Sequence, residues 1–474
     1  MLFNSIDFVI FFVIVTSLYF ALPHKYRWML LLLASCIFYM FFIPIYILVL
    51  LTAIVIDYFA GIWIEDSPSK TQKRKYLWMS ILSVCSILFV FKYFNFFNQN
   101  FAALASLMHW NYSIRALKIA LPIGLSFHTF QSLSYVIEVY RSRQKTERHF
   151  GIYSLYVMYF PQLVAGPIER PQNLLHQLRE EKHFDWKRCW DGLSLSLWGL
   201  FKKVVVADSL AIYVNTIYNN SNYHSGASLL LATYCFAIQV YCDFSGYSDI
   251  ARGVSRIYGI ELMKNFDAPY FSRSIAEFWA RWHISLSTWF RDYVYFPMGG
   301  SRVSLPRNCF NLLVVFAVSG LWHGANWTYV IAGTLQGTYM IAERCIELLI
   351  KRHGRYKVSQ SSSVVVQVFK IMLTFHLTLL TWVFFRAADL SSAMSILHKI
   401  VFSRGPLFLD PILAQGALFV PVVIGLEFLN RRFNCWQSFE RLPVAMRSCY
   451  AIAMLFGIVL FGIENGSQFI YFQF

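Results

Sequence analysis

The chain has 474 residues, of which 57% are hydrophobic, 18% aromatic and only 14% charged, with a formal net charge of +16. Soluble domains carry roughly a quarter charged residues, so this composition excludes an assembly of soluble domains and predicts a polytopic integral membrane protein. The basic residues cluster in short loops between apolar stretches, which indicates membrane topology and attraction to anionic lipid rather than nucleic-acid binding.

Apolar stretches that approach the length of a membrane span, about 20 residues, recur along the whole chain. Several are shorter, which predicts tilted or re-entrant segments that are buried by protein. The first lacks a basic start and a small-residue cleavage site, so we interpret it as a retained helix and not as a signal peptide. The stretches are Phe3–Leu22, Trp28–Phe42, Ile45–Trp63, Leu77–Phe97, Leu117–Val139, Tyr153–Val164, Cys189–Val206, Leu229–Cys242, Cys309–Leu321, Thr328–Ile350, Val364–Phe385, Leu413–Leu429 and Ser448–Ile463.

Basic loops between these stretches fit one orientation, in which all of them face the cytoplasm and the N-terminus lies outside. The sequence contains no internal repeat, low-complexity tract or long linker, so we predict one integral domain over residues 1–474. The basic loops are His24–Arg27, Lys70–Lys75, Arg141–Arg148, Arg179–Arg188, Arg252–Lys264 and Lys351–Lys357.

Two polar motifs precede the middle of the chain. Phe127–Tyr135 reads as a helix with several polar side chains, among them Gln131, which can line a site or simply hydrogen-bond to a neighbouring helix. Tyr159–Pro171 contains three prolines and a glycine within a hydrophobic stretch. Backbone interrupted in this way must be satisfied inside the protein, which predicts a re-entrant turn around Gly166–Pro167.

The segment Tyr241–Asp249 carries two carboxylates, Asp243 and Asp249, at the end of an apolar stretch. Ser245 and Gly246 predict that the chain leaves regular helix here. The segment can then line a polar opening or bind a ligand, and the alternative is a polar helix end at the membrane interface.

Periodicity predicts a helix over Ala276–Tyr293, in which Glu277 can pair with Arg281 at i,i+4. The helix is too polar to face lipid, so it lines either protein or a water-filled cavity, and the alternative is an amphipathic helix lying on the membrane. One face carries a polar group at every fourth residue, namely His283, Ser287 and Arg291.

A second histidine, His323, follows an apolar stretch inside Gly320-Leu-Trp-His-Gly-Ala-Asn-Trp327. The flanking glycines permit a break in the helix or a close approach of backbone. A neutral imidazole beside Trp322 and Asn326 can act as a general base on a hydroxyl group. The alternative is a core histidine bonded to a backbone carbonyl.

Motifs for nucleotide binding and serine-hydrolase chemistry are absent from the sequence. The nine cysteines include no Cys-x-x-Cys pair and lie mostly in apolar stretches, so we expect buried thiols rather than disulfides or a metal site. No histidine has zinc-ligand spacing, and we expect no metal.

Together these motifs resemble the membrane-bound O-acyltransferase family, and in particular its bacterial alginate O-acetyltransferase-like branch. The resemblance extends from the N-terminal helices to about residue 385. It implies N-terminal helices over 1–115, a family core over about 116–385 and C-terminal helices over about 386–474. The motifs are Phe127–Arg141, Tyr159–Pro171, Cys242–Gly253, Asn265–Tyr270, Glu277–Arg302 and Val318–Thr328.

The resemblance implies an all-α fold, a ring of transmembrane and re-entrant helices around a thin central region with opposed funnels. His323 matches the family's essential embedded histidine and His283 the second histidine of the bacterial branch. Relatives often carry tyrosine where this chain has His128, so we assign it no catalytic role.

From this resemblance we expect an O-acyltransferase of the bacterial inner membrane. His323 would act as general base, His283 would orient the donor or polarise its carbonyl, and Asn326 would steady the oxyanion. The donor would be acetyl-CoA or another acyl thioester, including an acylated carrier, with no permanently bound cofactor. The partners would be the lipid bilayer, a polysaccharide acceptor and a periplasmic or extracellular acetyltransferase. The supporting residues would be Trp322, Asp243, Ser245, Arg281, Ser287, Arg291 and Gln131.

Two other classes of protein remain open on sequence alone. A transporter or flippase of an acyl donor or glycan precursor would also need broken helices and buried polar groups, although its usual internal repeats are absent. The other class is a non-catalytic subunit that only docks a partner. That function would not explain the presence of two histidines in tryptophan-rich surroundings.

Overall fold

The computed structural model describes residues 1–352, 363–433, 443–463 and 469–470. All regular elements in these ranges are helical, and they include no strand, which confirms the all-α prediction. Seven of the described helices are long and apolar enough to cross a membrane, so the chain is a multi-pass membrane protein. Cys435 and residues 353–357 of the predicted basic loop lie outside the described ranges.

Helices follow one another with short connections along most of the described chain. The α-helices are α1 Ile6–Ala21, α2 His24–Met40, α3 Ile47–Asp66, α4 Lys70–Leu88, α5 Phe94–Leu107, α6 Leu125–Tyr140, α7 Phe150–Met158, α8 Phe160–Leu163, α9 Pro171–Arg179, α10 Trp186–Phe201, α11 Asp208–Asn219, α12 Gly226–Ile257, α13 Ile275–Arg281, α14 Ile284–Phe290, α15 Leu305–His323, α16 Trp327–Arg352, α17 Val364–Arg386, α18 Leu390–Phe402, α19 Pro411–Phe433 and α20 Val444–Phe461. Short π-helices cover Phe89–Tyr93, Lys202–Ala207 and Arg291–Tyr295, and 3₁₀ turns cover Pro44–Tyr46, Ser221–Tyr223 and Pro269–Phe271.

The helices form two compact units, of which the first comprises Met1–Ser196 and Tyr247–Met263. The second comprises Leu197–Gly246 and Lys264–Phe474, within the described ranges. The single integral domain remains a prediction.

A buried carboxylate joins three helices of the first unit. Asp57 on α3 accepts hydrogen bonds from Ser80 on α4 and from Ser132 on α6. All three side chains are fully or almost fully buried. A buried carboxylate is costly unless its oxygens are bonded, so these hydroxyl groups fix the packing of the three helices.

Glycines let α15 and α16 of the second unit approach closely. A Cβ atom on Gly320 would lie 2.2 Å from the Tyr329 carbonyl oxygen, and one on Gly333 would lie 2.2 Å from that of Phe316. Any side chain at these positions would force the two backbones apart, and His323 lies less than one turn beyond Gly320.

The predicted helix over Leu117–Val139 begins only at Leu125. The apolar stretch Tyr153–Val164 is interrupted at Tyr159, between α7 and α8, and the chain turns before Pro171 opens α9. Non-helical backbone around Gly166 agrees with the predicted turn. Its depth in a membrane stays a prediction.

The prediction that the chain leaves helix at Ser245 and Gly246 is wrong, because α12 continues without a break from Gly226 to Ile257. A Cβ atom on Gly246 would lie 2.6 Å from the Gly199 carbonyl oxygen. The glycine therefore serves close helix packing and does not mark a helix end.

Candidate active site

The prediction of one continuous helix over Ala276–Tyr293 is wrong, because the helix is interrupted at His283. Helix α13 ends at Arg281, Trp282 is extended, and His283 adopts a left-handed conformation with φ 44° and ψ 53° before α14 begins. Left-handed backbone costs a residue with a Cβ atom about 1–3 kcal/mol, so the surroundings must hold this bend.

Asn265 holds the bend from outside the two helices. Its carbonyl oxygen accepts the Ile284 N–H at 2.9 Å. Its Oδ1 atom accepts the Ser285 N–H at 3.2 Å and the Ser285 hydroxyl at 3.0 Å. The first N–H groups of α14 are therefore satisfied by a residue 20 positions earlier, which fixes where His283 points.

The two predicted histidines meet inside the second unit. The centroids of the His283 and His323 rings are 6.3 Å apart, and no hydrogen bond joins the two rings, both of which the structure describes. His283 is 0% exposed and His323 is 8% exposed. The two rings are therefore close neighbours in a buried part of the unit.

Aromatic rings surround the two histidines. The Phe244 ring lies edge-on to His283 at 4.5 Å, and the Phe385 ring lies 5.3 Å from His323. Trp322 lies 5.0 Å from His323 and 6.2 Å from His283. Such walls exclude water and lower the local dielectric constant, which strengthens the electrostatic interactions of a reacting group.

His323 is the last residue of α15, and Gly324 follows in extended conformation. Asn326 then bonds to the backbone of α16 and to the backbone of the connection between α17 and α18. Its Oδ1 atom accepts the Thr328 N–H at 3.1 Å, and its Nδ2 atom donates to the Ala388 carbonyl at 3.1 Å. Asn326 therefore fixes the start of α16, and its predicted oxyanion role remains a prediction.

A buried group of charges lies behind Phe244. The Lys203 ammonium lies 2.7 Å from Asp243 Oδ1 and 2.8 Å from Asp208 Oδ1, and Lys202 donates to Ser245 Oγ at 2.9 Å. All five side chains are buried. The ion pairs fix Asp243 and Ser245, and thereby the Phe244 ring that contacts His283.

The two lysines lie on the π-helix Lys202–Ala207. π-Helices inside α-helices often occur at functional sites, because the extra residue redirects side chains. Here both consecutive lysines contact α12, Lys203 through Asp243 and Lys202 through Ser245. Asp243 Oδ2 also accepts the Ile470 N–H at 2.7 Å.

Arg281 lies on α13 in an ion-pair group and not beside the histidines' rings. It pairs with Glu277 at 2.8 Å, as predicted, and Arg431 lies 3.4 Å from the same carboxylate oxygen. Burial acts to raise the pKa of Glu277, but the Arg273 backbone N–H and the neighbouring guanidinium groups outweigh it and lower that pKa. The arrangement keeps Glu277 ionised and fixes α13.

The N-terminus of α13 is also held from α16. Both carboxylate oxygens of Glu343 accept backbone N–H groups, from Ile275 at 2.6 Å and from Ala276 at 3.1 Å. Ser274 Oγ accepts the Glu277 N–H at 3.0 Å. These bonds satisfy the first turn of the helix.

Ser287 and Arg291 line a cavity of about 270 Å³ in the second unit, with a mostly apolar wall that includes Trp279, Phe316 and Ser319. Neither histidine lines this cavity. Ser319 lies about one helical turn before His323 on α15, so the cavity follows the helix that carries the histidine.

Gln131 belongs to the first unit, as does His128, to which no role was assigned, whereas the other predicted site residues belong to the second unit. Gln131 donates to the Tyr156 carbonyl on α7, which is the interhelical hydrogen bond of the alternative interpretation. Both ring nitrogens of His128 are buried without a hydrogen bond in the described residues.

Lys202, Lys203, Asp208 and Asn265 were missed as site-supporting residues. The two lysines carried a usable signal, since adjacent ammonium groups interrupt an apolar stretch and Asp208 follows five residues later. Asn265 opens the motif Asn265–Tyr270, but its role was not predictable from that motif because it depends on tertiary contact.

Comparisons with known proteins identify the family of the chain. Residues 16–387 match the membrane-bound O-acyltransferase family. The chain is 34% identical over 410 residues to the "probable alginate O-acetylase AlgI" of Azotobacter vinelandii, covering 85% of this chain and 79% of that protein.

It is 33% identical over 401 residues to a "peptidoglycan O-acetyltransferase" of Helicobacter pylori, covering 79% of this chain and 74% of that protein. It is 27% identical over 265 residues to a "teichoic acid D-alanyltransferase" of Bacillus subtilis, covering 54% of this chain and 66% of that protein. With a family match over most of its length, the chain belongs to the membrane-bound O-acyltransferase family and is an acyltransferase.

Proposed function

We propose that the protein moves an acetyl group from a thioester on the cytoplasmic side of the bacterial inner membrane to a hydroxyl group of an exported or cell-surface polysaccharide. Transfer occurs directly or through a periplasmic or extracellular acetyltransferase. The observation that carries the proposal is the pair of buried imidazoles, 6.3 Å apart within aromatic walls. The names of the relatives support acetyl as the group and a cell-surface polymer as the acceptor.

In the proposed reaction His323 takes the proton of the acceptor hydroxyl while its oxygen attacks the thioester carbonyl carbon. The carbon–sulfur bond then breaks, and the imidazolium returns the proton to the departing sulfur. The products are an oxygen ester and a thiol, and no oxidant or reductant is needed.

The position of His323 supports its assignment as the base. It lies in the last turn of α15, whose C-terminal end carries the negative pole of the helix dipole. That pole favours the positive charge which the imidazole gains in the reaction. His283, which is fully buried beside Phe244, is proposed to orient the donor carbonyl.

The cavity lined by Ser287 and Arg291 is proposed to hold the arm of the thioester donor. Its wall is mostly apolar, as suits an acyl-carrying chain, and the Arg291 side chain at its rim is 53% exposed. Its Nε atom pairs with Asp292 at 2.8 Å, and the remaining N–H groups of the guanidinium are proposed to contact the phosphate groups of acetyl-CoA or of an acylated carrier.

The test uses membranes that contain the full chain, acetyl-CoA labelled in its acetyl group, and a surface polysaccharide as acceptor. Alkali-labile label in the polymer reports ester formation. His323→Ala is expected to lower this signal about 100- to 10,000-fold, the usual contribution of a general base. His398→Ala is the matched control, because His398 is an exposed histidine on α18.

Near-normal ester formation by His323→Ala, at equal protein level, would overturn the proposed mechanism. Label that crosses the membrane without forming ester, in the wild type, would instead identify a transporter. Polymer analysis by mass spectrometry in cells with and without the gene identifies the acceptor.

A further inference from the structure

Another cavity, of about 200 Å³, lies in the first unit where α1 ends and α2 begins. A water molecule occupies roughly 30 Å³ in the liquid, so the cavity has room for a group the size of a phosphate. Its wall is rich in cationic or protonatable side chains, namely His24, Lys25, Arg27, His149 and Arg179.

The charges in this wall do not cancel. Arg179 is balanced by Glu147, whose Oε2 atom accepts its Nε–H at 2.9 Å. Glu180, the acidic residue in the wall, pairs with Lys182. Among the described residues Lys25 and Arg27 form no ion pair, so the cavity keeps a positive potential.

Arg27 is fixed in place at the cavity wall. Its Nε atom donates to the Leu22 carbonyl at 3.0 Å, and Nη1 donates to the Lys182 carbonyl. Its guanidinium carbon lies 4.9 Å from the centroid of the Tyr19 ring. A guanidinium group held in this way loses little freedom when it binds an anion, and its planar fork suits phosphate oxygens.

The two histidines of the wall add hydrogen-bond donors. His149 Nδ1 accepts the Ile152 N–H at 3.2 Å, so the ring proton lies on Nε2. His24 Nε2 lies 3.1 Å from the Arg179 carbonyl, while His24 Nδ1 is buried without a hydrogen bond in the described residues.

The surface beside the cavity is apolar and exposed. Leu18 on α1 and Met29 and Leu33 on α2 are among the exposed hydrophobic residues. Exposed Trp186 belongs to the aromatic type that concentrates at the membrane interface. The loops that contribute His24–Arg27 and Arg179 are also those predicted to be cytoplasmic.

We propose that this cavity binds a phosphate group, with the ammonium group of Lys25 and the guanidinium group of Arg27 as its cationic contacts. That chemistry is shared by the headgroup of an anionic phospholipid and by free inorganic phosphate. Basic pockets between membrane helices on the cytoplasmic side commonly hold anionic headgroups. The site is separate from the histidine pair, and the proposal does not depend on the proposed reaction.

The experiment measures lipid retention by native mass spectrometry of the full chain. The protein is titrated with phosphatidylglycerol or with phosphatidylcholine, and in a separate arm with inorganic phosphate alone. The test variant is Lys25→Gln, and Lys70→Gln is the matched control, since it removes the same charge from another basic loop of the same unit. Thermal unfolding without lipid checks that both variants are folded.

The wild type and Lys70→Gln are expected to retain phosphatidylglycerol in preference to phosphatidylcholine. Lys25→Gln is expected to bind it about fivefold more weakly, the usual effect of one basic residue near anionic lipid. If Lys25→Gln weakens the binding of inorganic phosphate and Lys70→Gln does not, the result would support the same site with free phosphate as its ligand. Equal behaviour of the two variants towards both probes, or no preference over phosphatidylcholine, would overturn the proposal.

Discussion

Replacing Asn265 with alanine should inactivate the enzyme without touching either histidine. The substitution removes the Oδ1 atom that accepts two hydrogen bonds from Ser285, while the carbonyl bond to Ile284 is kept. Asn265 and Ser285 are 1% and 0% exposed. Each buried donor left unsatisfied costs about 1–3 kcal/mol, so we expect a loss of about 2–6 kcal/mol in the free energy of unfolding.

The effect on catalysis follows from the bend at His283. Without the Asn265 side chain the left-handed conformation, which itself costs about 1–3 kcal/mol, loses its main support. A shift of about 1 Å in a catalytic group lowers the rate about 100-fold. We therefore expect kcat of Asn265→Ala to fall about 100-fold, which corresponds to about 2.7 kcal/mol, with a smaller change in KM.

The assay is acetyl transfer by purified protein at equal folded concentration, with thermal unfolding measured in parallel. Ser285→Ala removes only one of the two hydrogen bonds and is expected to cost about 1 kcal/mol of stability. Thr233→Val is the control for stability alone, because the buried Thr233 hydroxyl bonds to Tyr218 and to a backbone carbonyl but to neither histidine. Full activity of Asn265→Ala, or an equal loss of activity in Thr233→Val, would refute a positioning role for Asn265.

Three further changes test other parts of the site. His283→Gly and His283→Ala should lose activity equally. The free energy of unfolding should be about 1 kcal/mol higher for the glycine variant, because glycine adopts left-handed backbone without strain. Equal unfolding midpoints of the two variants would contradict this. Lys203→Met should lower the free energy of unfolding by about 3–5 kcal/mol, because it leaves Asp208 and Asp243 buried without their cation, whereas Lys75→Met, at an exposed lysine, should change it by less than about 0.5 kcal/mol. Gly320→Ala should lower the free energy of unfolding by about 1–3 kcal/mol and reduce acetyl transfer, because the new Cβ atom would meet a backbone oxygen of α16. Wild-type activity of this variant would show that the spacing of α15 and α16 does not position the base.

The sequence was sufficient to identify both histidines, because ionisable groups in apolar surroundings stand out and the surrounding motifs resemble one family. It was not sufficient to predict the break at His283. Ala276–Tyr293 contains no glycine or proline and has helical periodicity throughout. The break depends on Asn265, which is distant in sequence, so no local pattern records it.

A glycine between two carboxylates in the sequence was misleading in the opposite direction. Gly246 was interpreted as a helix end, yet it lies within α12 where the Gly199 carbonyl approaches. Sequence alone cannot distinguish a glycine required for backbone conformation from one required for close packing, because both simply lack a side chain. Lys202 and Lys203 carried a signal, because they interrupt an apolar stretch, but their partners Ser245 and Asp243 were not predictable from it.

Both histidines lie where a helix ends, and an asparagine lies beside each of these ends. Asn265 satisfies the first N–H groups of α14 after His283, and Asn326 satisfies the Thr328 N–H after His323. Backbone that leaves a helix at membrane depth must find its hydrogen bonds inside the protein. An amide side chain can donate and accept at such a break without adding charge, so it leaves the electrostatics of the imidazoles unchanged. We therefore infer that the two asparagines make the helix breaks possible. The breaks in turn bring the two imidazole rings to a centroid distance of 6.3 Å.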